Sequence, residues 1–181
     1  MHPLDKFQYC PVCGSSHFEV NNFKSKKCAA CGFTYYANPC SATVAFIVRT
    51  IEDKTTGSMR TELLVATRAK EPAKGTLDLV GGFVDMEETV EEGMRREIKE
   101  ETGLTIERMD YLFSIPNLYA YSGMTVHTLD MFFIVHVDND VEPKPDDDVA
   151  RLQWIPLEEV DYRLFGLRSI SKGVKYFLEN Q

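Results

Sequence analysis

Between Gly82 and Leu104 the chain sets glycines, one arginine and four carboxylates at fixed intervals: Gly82-x5-Glu88-x7-Arg96-Glu97-Ile98-x-Glu100-Glu101-x-Gly103-Leu104. No other stretch limits the fold as strongly. Wound at about 100° per residue, Val90 to Thr102 forms a helix whose Val90, Met94 and Ile98 line one apolar stripe. Thr89 and Glu92 supply a capping box at its start, and Gly103 supplies a stop after its end. Glu97 and Glu101 fall on the edge of the stripe that ought to be buried, with Glu100 on its flank. Glu91, Glu92, Arg95 and Lys99 take the solvated side.

Like-charged carboxylates one turn apart beside an apolar stripe repel each other unless a cation lies between them. Hard divalent ions with oxygen ligands suit that arrangement, and Mg2+ also shares substrate phosphates. A surface helix rich in Glu, Lys and Arg is the competing reading, and the helical angles oppose it. Arg96 is expected to brace a glutamate, and Gly93 to mark close packing against backbone at its turn.

Four of the five cysteines form Cys10-Pro-Val-Cys13 and Cys28-Ala-Ala-Cys31, each pair followed by a glycine. Two such knuckles read as a zinc ribbon in which Cys10, Cys13, Cys28 and Cys31 close round one structural Zn2+ per chain. A segment this small has too little core to fold without such a staple. Two disulfides are the competing reading, and no secretory signal accompanies the cysteines. Cys40 is left over and is expected to pack as a small apolar residue.

The 181 residues have room for one ordinary domain and a small appendage, divided here as a ribbon over 1–36 and a main domain over 37–181. The net charge is −8; the first 36 residues carry four lysines against Asp5 and Glu19, so the rest is acidic. An acidic main domain is a poor general binder of nucleic acid, yet it accepts anionic nucleotides when a metal supplies positive charge. The longest apolar runs, Val44 to Val48 and Met131 to Val135, are too short to span a bilayer. The expectation is a cytoplasmic protein with no membrane partner.

Strands are expected over Ser41 to Thr50, Glu62 to Ala69, Leu77 to Val84, Met109 to Leu118, Thr125 to Val137 and Arg151 to Ile155. Tyr35 to Pro39 reads as a connection, Glu52 to Arg60 as a hairpin loop and Asp138 to Asp148 as an acidic loop. Leu157 to Val160 and Leu167 to Leu178 are helical candidates. Strands interleaved with helices point to an α/β sandwich. His127 and His136 lie in one β-rich run and are assigned no chemistry.

The spacing over 82–104, filled at all nine constrained positions, resembles the signature of the Nudix hydrolases. The resemblance covers about residues 40–181 and implies an α/β/α sandwich round a mixed sheet. A ribbon directly before that domain is similar to the branch containing NADH pyrophosphatases and flavin-dinucleotide hydrolases, which cut the diphosphate bridge of a nucleoside diphosphate linked to another group. The resemblance implies catalytic Mg2+ or Mn2+ held by Glu97, Glu100, Glu101 and the Gly81 carbonyl. It makes Gly82, Glu88, Arg96 and Gly103 structural members of the motif. It adds Asp148, six residues before Trp154, as a further metal ligand or base, and leaves the general base open among Glu97, Glu100, Glu101 and Asp148. Substrate contacts would come from Tyr36 and from the strip Ser114, Ile115, Pro116, Asn117, Tyr119, Tyr121 and Ser122. Ile115 and Asn117 stand where NADH pyrophosphatases have Gln and Trp, so broad hydrolysis of dinucleotides such as NADH, NAD or FAD, or of ADP-ribose, is expected. The family resemblance also implies a homodimer. Two other activities are compatible with the same residues: removal of a nucleotide cap of the NAD type from RNA, favoured by Lys24, Lys26 and Lys27, and nucleotide sensing with the ribbon on nucleic acid.

Overall fold

A computed structural model of the protein describes residues 2–52, 57–146 and 149–180. It divides into two compact units, Met1–Cys40 with Leu118–Thr128, and Ser41–Asn117 with Leu129–Gln181. Among the described residues no helix is long and apolar enough to cross a membrane.

In the first unit, β1 (Phe18–Asn22), β2 (Ser25–Cys28) and β3 (Thr34–Tyr36) form an antiparallel sheet in that order. Tyr35 and Tyr36, read from the sequence as a connection, are the end of β3. So few strand residues show no usable alternation, and the sheet is held instead by the knuckles. Gly14 and Gly32 take φ of 72° and 80°, and each N–H returns to the first cysteine of its knuckle at 2.9 Å. Cys10, Phe18 and Cys28 are the buried core, with Phe33 packed against them. Lys26 is buried as well, its Nζ donating to the Phe7 carbonyl at 2.8 Å.

The elements that follow are β4 (Cys40–Glu52), β5 (Met59–Arg68), β6 (Leu77–Asp78), α1 (Val90–Thr102), β7 (Asp110–Tyr121), β8 (Met124–His136), β9 (Val149–Pro156) and α2 (Arg168–Glu179), and the second unit holds all of them except Cys40 and the 118–128 ends of β7 and β8. The sheet runs β6-β5-β4-β8-β7, and β9 pairs with β5. The Leu77 to Val84 run is not one strand. After Asp78 it meets β4 only through the bridges Ala45↔Val80 and Ala42↔Phe83, because Gly81 breaks the ladder. Leu157–Glu159 closes as a 3-10 turn, and Tyr162–Leu164 adds another that the sequence did not signal.

The alternation in β4 sets the layers. Val44, Phe46 and Val48 point into one cluster with Phe132 and with Ile170, Val174 and Phe177 of α2. Ala45 and Ile47 point into the other, with Leu64, Phe133 and with Met94 and Ile98 of α1. A strand buried on both faces, with one helix over each, is the α/β/α sandwich. Ring stacking tightens the α2 side, with Phe46 and Phe177 centroids 4.1 Å apart and Phe113 and Phe132 at 4.8 Å. Cys40, expected to pack as an apolar residue, is exposed at the start of β4.

Gly173 lets α2 lie on the Phe132 ring, since a Cβ there would sit 2.4 Å from its Cε1. Gly173→Ala should therefore destabilise the protein by about 1–3 kcal/mol, outweighing alanine's helix advantage of about 1 kcal/mol. Urea or thermal unfolding checks this; an unchanged or raised midpoint would show that the helix moves aside freely.

Candidate functional site

The site begins with two glycines that lack side chains for different reasons. Ala45 N–H donates to the Val80 carbonyl at 2.9 Å and Thr43 N–H to the Gly82 carbonyl at 2.8 Å, leaving Gly81 as a bulge between them. Gly81 has φ 152°, and a Cβ on it would lie 2.0 Å from the Thr43 carbonyl oxygen. Its N–H turns toward α1 and donates to Glu101 Oε2 at 3.0 Å. At Gly82 the obstacle is a side chain: a Cβ would lie 2.5 Å from Glu97 Cδ and Oε1. The glycine pair is thus a seat for two carboxylates.

The helix presents those carboxylates in a fixed phase. Thr89 and Glu92 form the reciprocal capping box, and Gly103 ends the helix at φ 72° with its N–H on the Lys99 carbonyl. Met94 and Ile98 are fully buried, so the helix cannot rotate without exposing them. Glu101 is 6% exposed. Glu97 is half-buried, whereas the Glu100 side chain is 47% exposed and is drawn toward Arg96.

Arg96 gathers the motif's acids. It donates to Glu97 Oε1 at 2.7 Å, to Glu100 Oε2 at 3.0 Å, to both oxygens of Glu88 at 3.0 Å and to the Phe83 carbonyl at 2.9 Å. Its guanidinium is held still more firmly protonated than usual, chiefly by Glu88, then by Glu97 and Glu100 against partial burial. Glu88 in turn is held below the usual carboxylate range, first by Arg96 and next by the Asp85 N–H. Gly93 packs under this carboxylate, where a Cβ would meet Glu88 Oε2 at 3.0 Å, rather than against backbone.

Beyond α1 the loop toward β9 is tied to the helix end. Lys144 N–H donates to the Thr102 carbonyl at 2.9 Å and Asp146 N–H to the Glu101 carbonyl at 3.2 Å. Asp148 lies outside the described residues. The donors that the helix assembles suit a hard divalent cation in kind: carboxylate oxygens grouped on a backbone notch that admits no Cβ.

The strip on β7 does not present one face. Ile115 and Asn117 are half-buried while Ser114 and Pro116 are exposed, as the two-residue repeat of a strand requires. Ile115 packs against the Val44 and Phe46 cluster. Asn117 donates through Nδ2 to Asp130 Oδ2 at 3.2 Å. In the other unit the Tyr119 and Tyr121 rings stack at 6.4 Å, and Ser122 (φ 48°) with Gly123 (φ 74°) forms the two-residue hairpin turn. Tyr36 is half-exposed at the end of β3, with Lys24 Nζ 6.0 Å from its ring centroid.

Sequence reasoning did not single out Arg68, Asp78 and Asp130. Arg68 pairs with Asp78 in a nearly buried ion pair and also donates to the Pro72 carbonyl at 2.7 Å. Burial pushes the Asp78 carboxyl up, Arg68 opposes this, and Asp130 adds to the rise. The available signal was a lone acid inside each of two apolar strands, Leu77-Asp78-Leu79 and Leu129-Asp130-Met131.

The four ribbon cysteines converge as free thiols, their sulfurs all within 4.8 Å of one another. Cys10 and Cys31 Sγ are 3.7 Å apart, and Cys13 and Cys28 Sγ 3.6 Å. A tetrahedral Zn2+ with bonds of about 2.3 Å requires sulfurs about 3.8 Å apart, so the set fits the ion. Backbone N–H groups, Cys31's first, hold the Cys28 thiol down at about 6. Cys31 stands at about 12 despite the Phe33 N–H, because the neighbouring thiols resist a second thiolate. A dication at the centre relieves that repulsion. Cys28→Ser should lose about one Zn2+ per chain together with amide protection in β1–β3. Metal analysis and hydrogen exchange report both; retention of protection in a zinc-free preparation would overturn the metal reading.

Comparison with known proteins gives three findings. The NUDIX domain model matches residues 42–175. The NAD-capped RNA hydrolase NudC of Deinococcus radiodurans is 28% identical over 153 residues, covering 84% of this chain and 50% of that protein, so the chain spans about half the length of the curated relative. Among solved structures, a NUDIX hydrolase from Nitrosomonas europaea superposes with a TM-score of 0.66 at 20% identity, over 96% of this chain and 92% of that one. The NUDIX domain of Shewanella oneidensis NrtR, complexed with ADP ribose, gives 0.63 at 16% identity, over 80% and 89%. With most of its length inside the matched domain and the signature carboxylates seated on the Gly81–Gly82 turn, the chain belongs to the Nudix family.

Proposed function

We propose that the protein hydrolyses the pyrophosphate bridge of a nucleoside diphosphate joined to another group, such as ADP-ribose, NADH, NAD or FAD. The observation that carries this reading is the seating of Glu97 and Glu101 on adjacent glycines, one carboxylate against Gly82 and the other buried on the Gly81 N–H. Two nearby carboxylates held away from water are built to share positive charge. Mg2+ or Mn2+ held by Glu97, Glu101, the Gly81 carbonyl and one of Glu100 or Asp148 would neutralise phosphate oxygens and make water a stronger acid.

The chain's own residues do the remaining work. Arg96 fixes the Glu97 carboxylate, and Glu88 keeps Arg96 in place from the far side. A carboxylate of the group Glu97, Glu100, Glu101 and Asp148 accepts the proton of the attacking water. Glu100, the most exposed of the described three, has the freest access to solvent for passing that proton on. The division is a structural zinc ribbon over 1–36 and the hydrolase domain over 37–181, and β3 ends at the same Tyr36. The expected setting is the cytoplasm, and the expected assembly a homodimer. The second reading, removal of an NAD-type cap from RNA, is favoured by the name of the Deinococcus relative.

Glu97→Gln and Glu101→Gln should each lower kcat by about 100-fold or more while leaving the unfolding midpoint near that of the parent. Glu91→Gln, on the solvated face of α1, should stay within about twofold. The assay is a panel of ADP-ribose, NADH, FAD and NAD-capped RNA with Mg2+ and Mn2+, with products resolved by chromatography. Equal loss from all three variants, or turnover without divalent metal, would sink the reading.

A further inference from the structure

The glycine turn is carried by a wedge between two strands. β4 and β5 pair from Glu52↔Met59 as far as Val48↔Leu63 and then part. Residues 77–83 fill the gap: Leu77 and Asp78 pair with Thr67 and Ala66 of β5, while Val80 and Phe83 bridge Ala45 and Ala42 of β4. β9 occupies the opposite edge of β5 along the same residues, so the segment enters on the β4 side. Leu79, where the chain changes partner, gives its N–H to Asp78 Oδ1 at 2.9 Å.

An acid buried at that point needs a counter-charge, because a lone carboxylate out of water is strongly destabilising. Arg68, the last residue of β5, supplies it by donating to Asp78 Oδ2. Nε of the same guanidinium donates to the Pro72 carbonyl at 2.7 Å. The Arg68 backbone closes the turn as well, its N–H on the Thr76 carbonyl at 3.1 Å and its carbonyl taking the Gly75 N–H at 3.0 Å. One residue of β5 therefore grips the wedge through turn and carboxylate together. Three residues beyond Asp78 is Gly81, whose N–H holds Glu101 at 3.0 Å.

The helix takes its position from the walls of the gap. Met94 and Ile98 of α1 share a buried cluster with Ala45 and Ile47 of β4 and Leu64 of β5. A shift of the wedge along the gap consequently changes the distance from the glycine notch to the carboxylates of α1. Resting on the pyrophosphate-hydrolysis reading, we infer that Arg68 and Asp78 are positioning residues of the metal site, their ion pair setting how deeply 77–83 enters between β4 and β5. The pair acts through the backbone of Gly81 and Gly82.

The test measures Mn2+ binding to the zinc-loaded protein by calorimetry, beside kcat as a function of Mg2+ and the unfolding midpoint. Arg68→Lys keeps the charge but replaces the planar fork that serves Asp78 and Pro72 at once. Its Kd for Mn2+ and its half-saturating Mg2+ concentration should both rise by about 10-fold, while substrate KM at saturating Mg2+ stays within about twofold. Arg68→Met combined with Asp78→Leu exchanges the pair for apolar side chains, a change that buried ion pairs often tolerate. It should show the same weakening, and it serves if Arg68→Lys does not fold. Arg49→Lys is the control: it alters the buried pair with Glu62 inside the paired stretch of β4 and β5, away from the wedge. Its midpoint should fall while Mn2+ affinity stays within about twofold. A merely structural role would lower the midpoints and leave the Mn2+ Kd of the folded variants unchanged. That result overturns the inference, as does equal weakening in Arg49→Lys or a parent that binds no Mn2+. Weakened Mn2+ binding in the Arg68 variants, with no substrate of the panel hydrolysed by the parent, would instead remove the hydrolase reading and leave the positioning role standing.

Discussion

The carbonyl of Thr43 occupies the space where a side chain on residue 81 would begin. That one contact forces a bare backbone at the point where the chain leaves β6 for the helix, and much of the site follows from it. Because Gly81 cannot continue the ladder with β4, its N–H is available to hold Glu101, and the next residue can be a seat for Glu97. The packing of Met94 and Ile98 then keeps α1 in the rotation that delivers both acids. A bulge in one strand and an apolar stripe on one helix together convert a surface-type sequence into a directed cluster of oxygens.

The helix's share of this was legible in the sequence, and for one reason. The helix carries its own punctuation, Thr89 with Glu92 at one end and Gly103 at the other, so its phase follows from the sequence and with it the faces of Glu97 and Glu101. The double burial of β4 was also readable from its unbroken apolar run, although which helix covers which face was not. Long-range contacts made by single polar residues stayed hidden. Nothing local says that Arg68 will meet Asp78 or that Asp130 will meet Asn117, because those encounters depend on how strands pair across the sheet. The β7 strip shows the opposite failure: a continuous sequence pattern, but a strand that sends alternate residues to opposite faces.

The ribbon and the main domain solve the problem of stability in different ways. The first buries two cysteines and Phe18 as nearly its whole interior, and its order comes from four sulfurs at the spacing of one ion. The second has two apolar clusters on either side of a sheet and does not depend on a metal for its architecture. Removal of metal is therefore expected to separate them, with the hydrolase fold outlasting the ribbon.

The loop that follows β8 carries a consequence for its alignment. Gly103 ends α1 with carbonyls still to be satisfied, and the loop supplies the donors that a further turn of helix would have given. In Pro143-Lys144-Pro145-Asp146 only the second and fourth residues have an N–H, and those are the two that dock on Thr102 and Glu101. A slip of one residue in either direction would bring a proline, which has nothing to donate, to a waiting carbonyl. The proline spacing thus works as a key with a single seating, and it fixes Asp146 against the buried end of the helix.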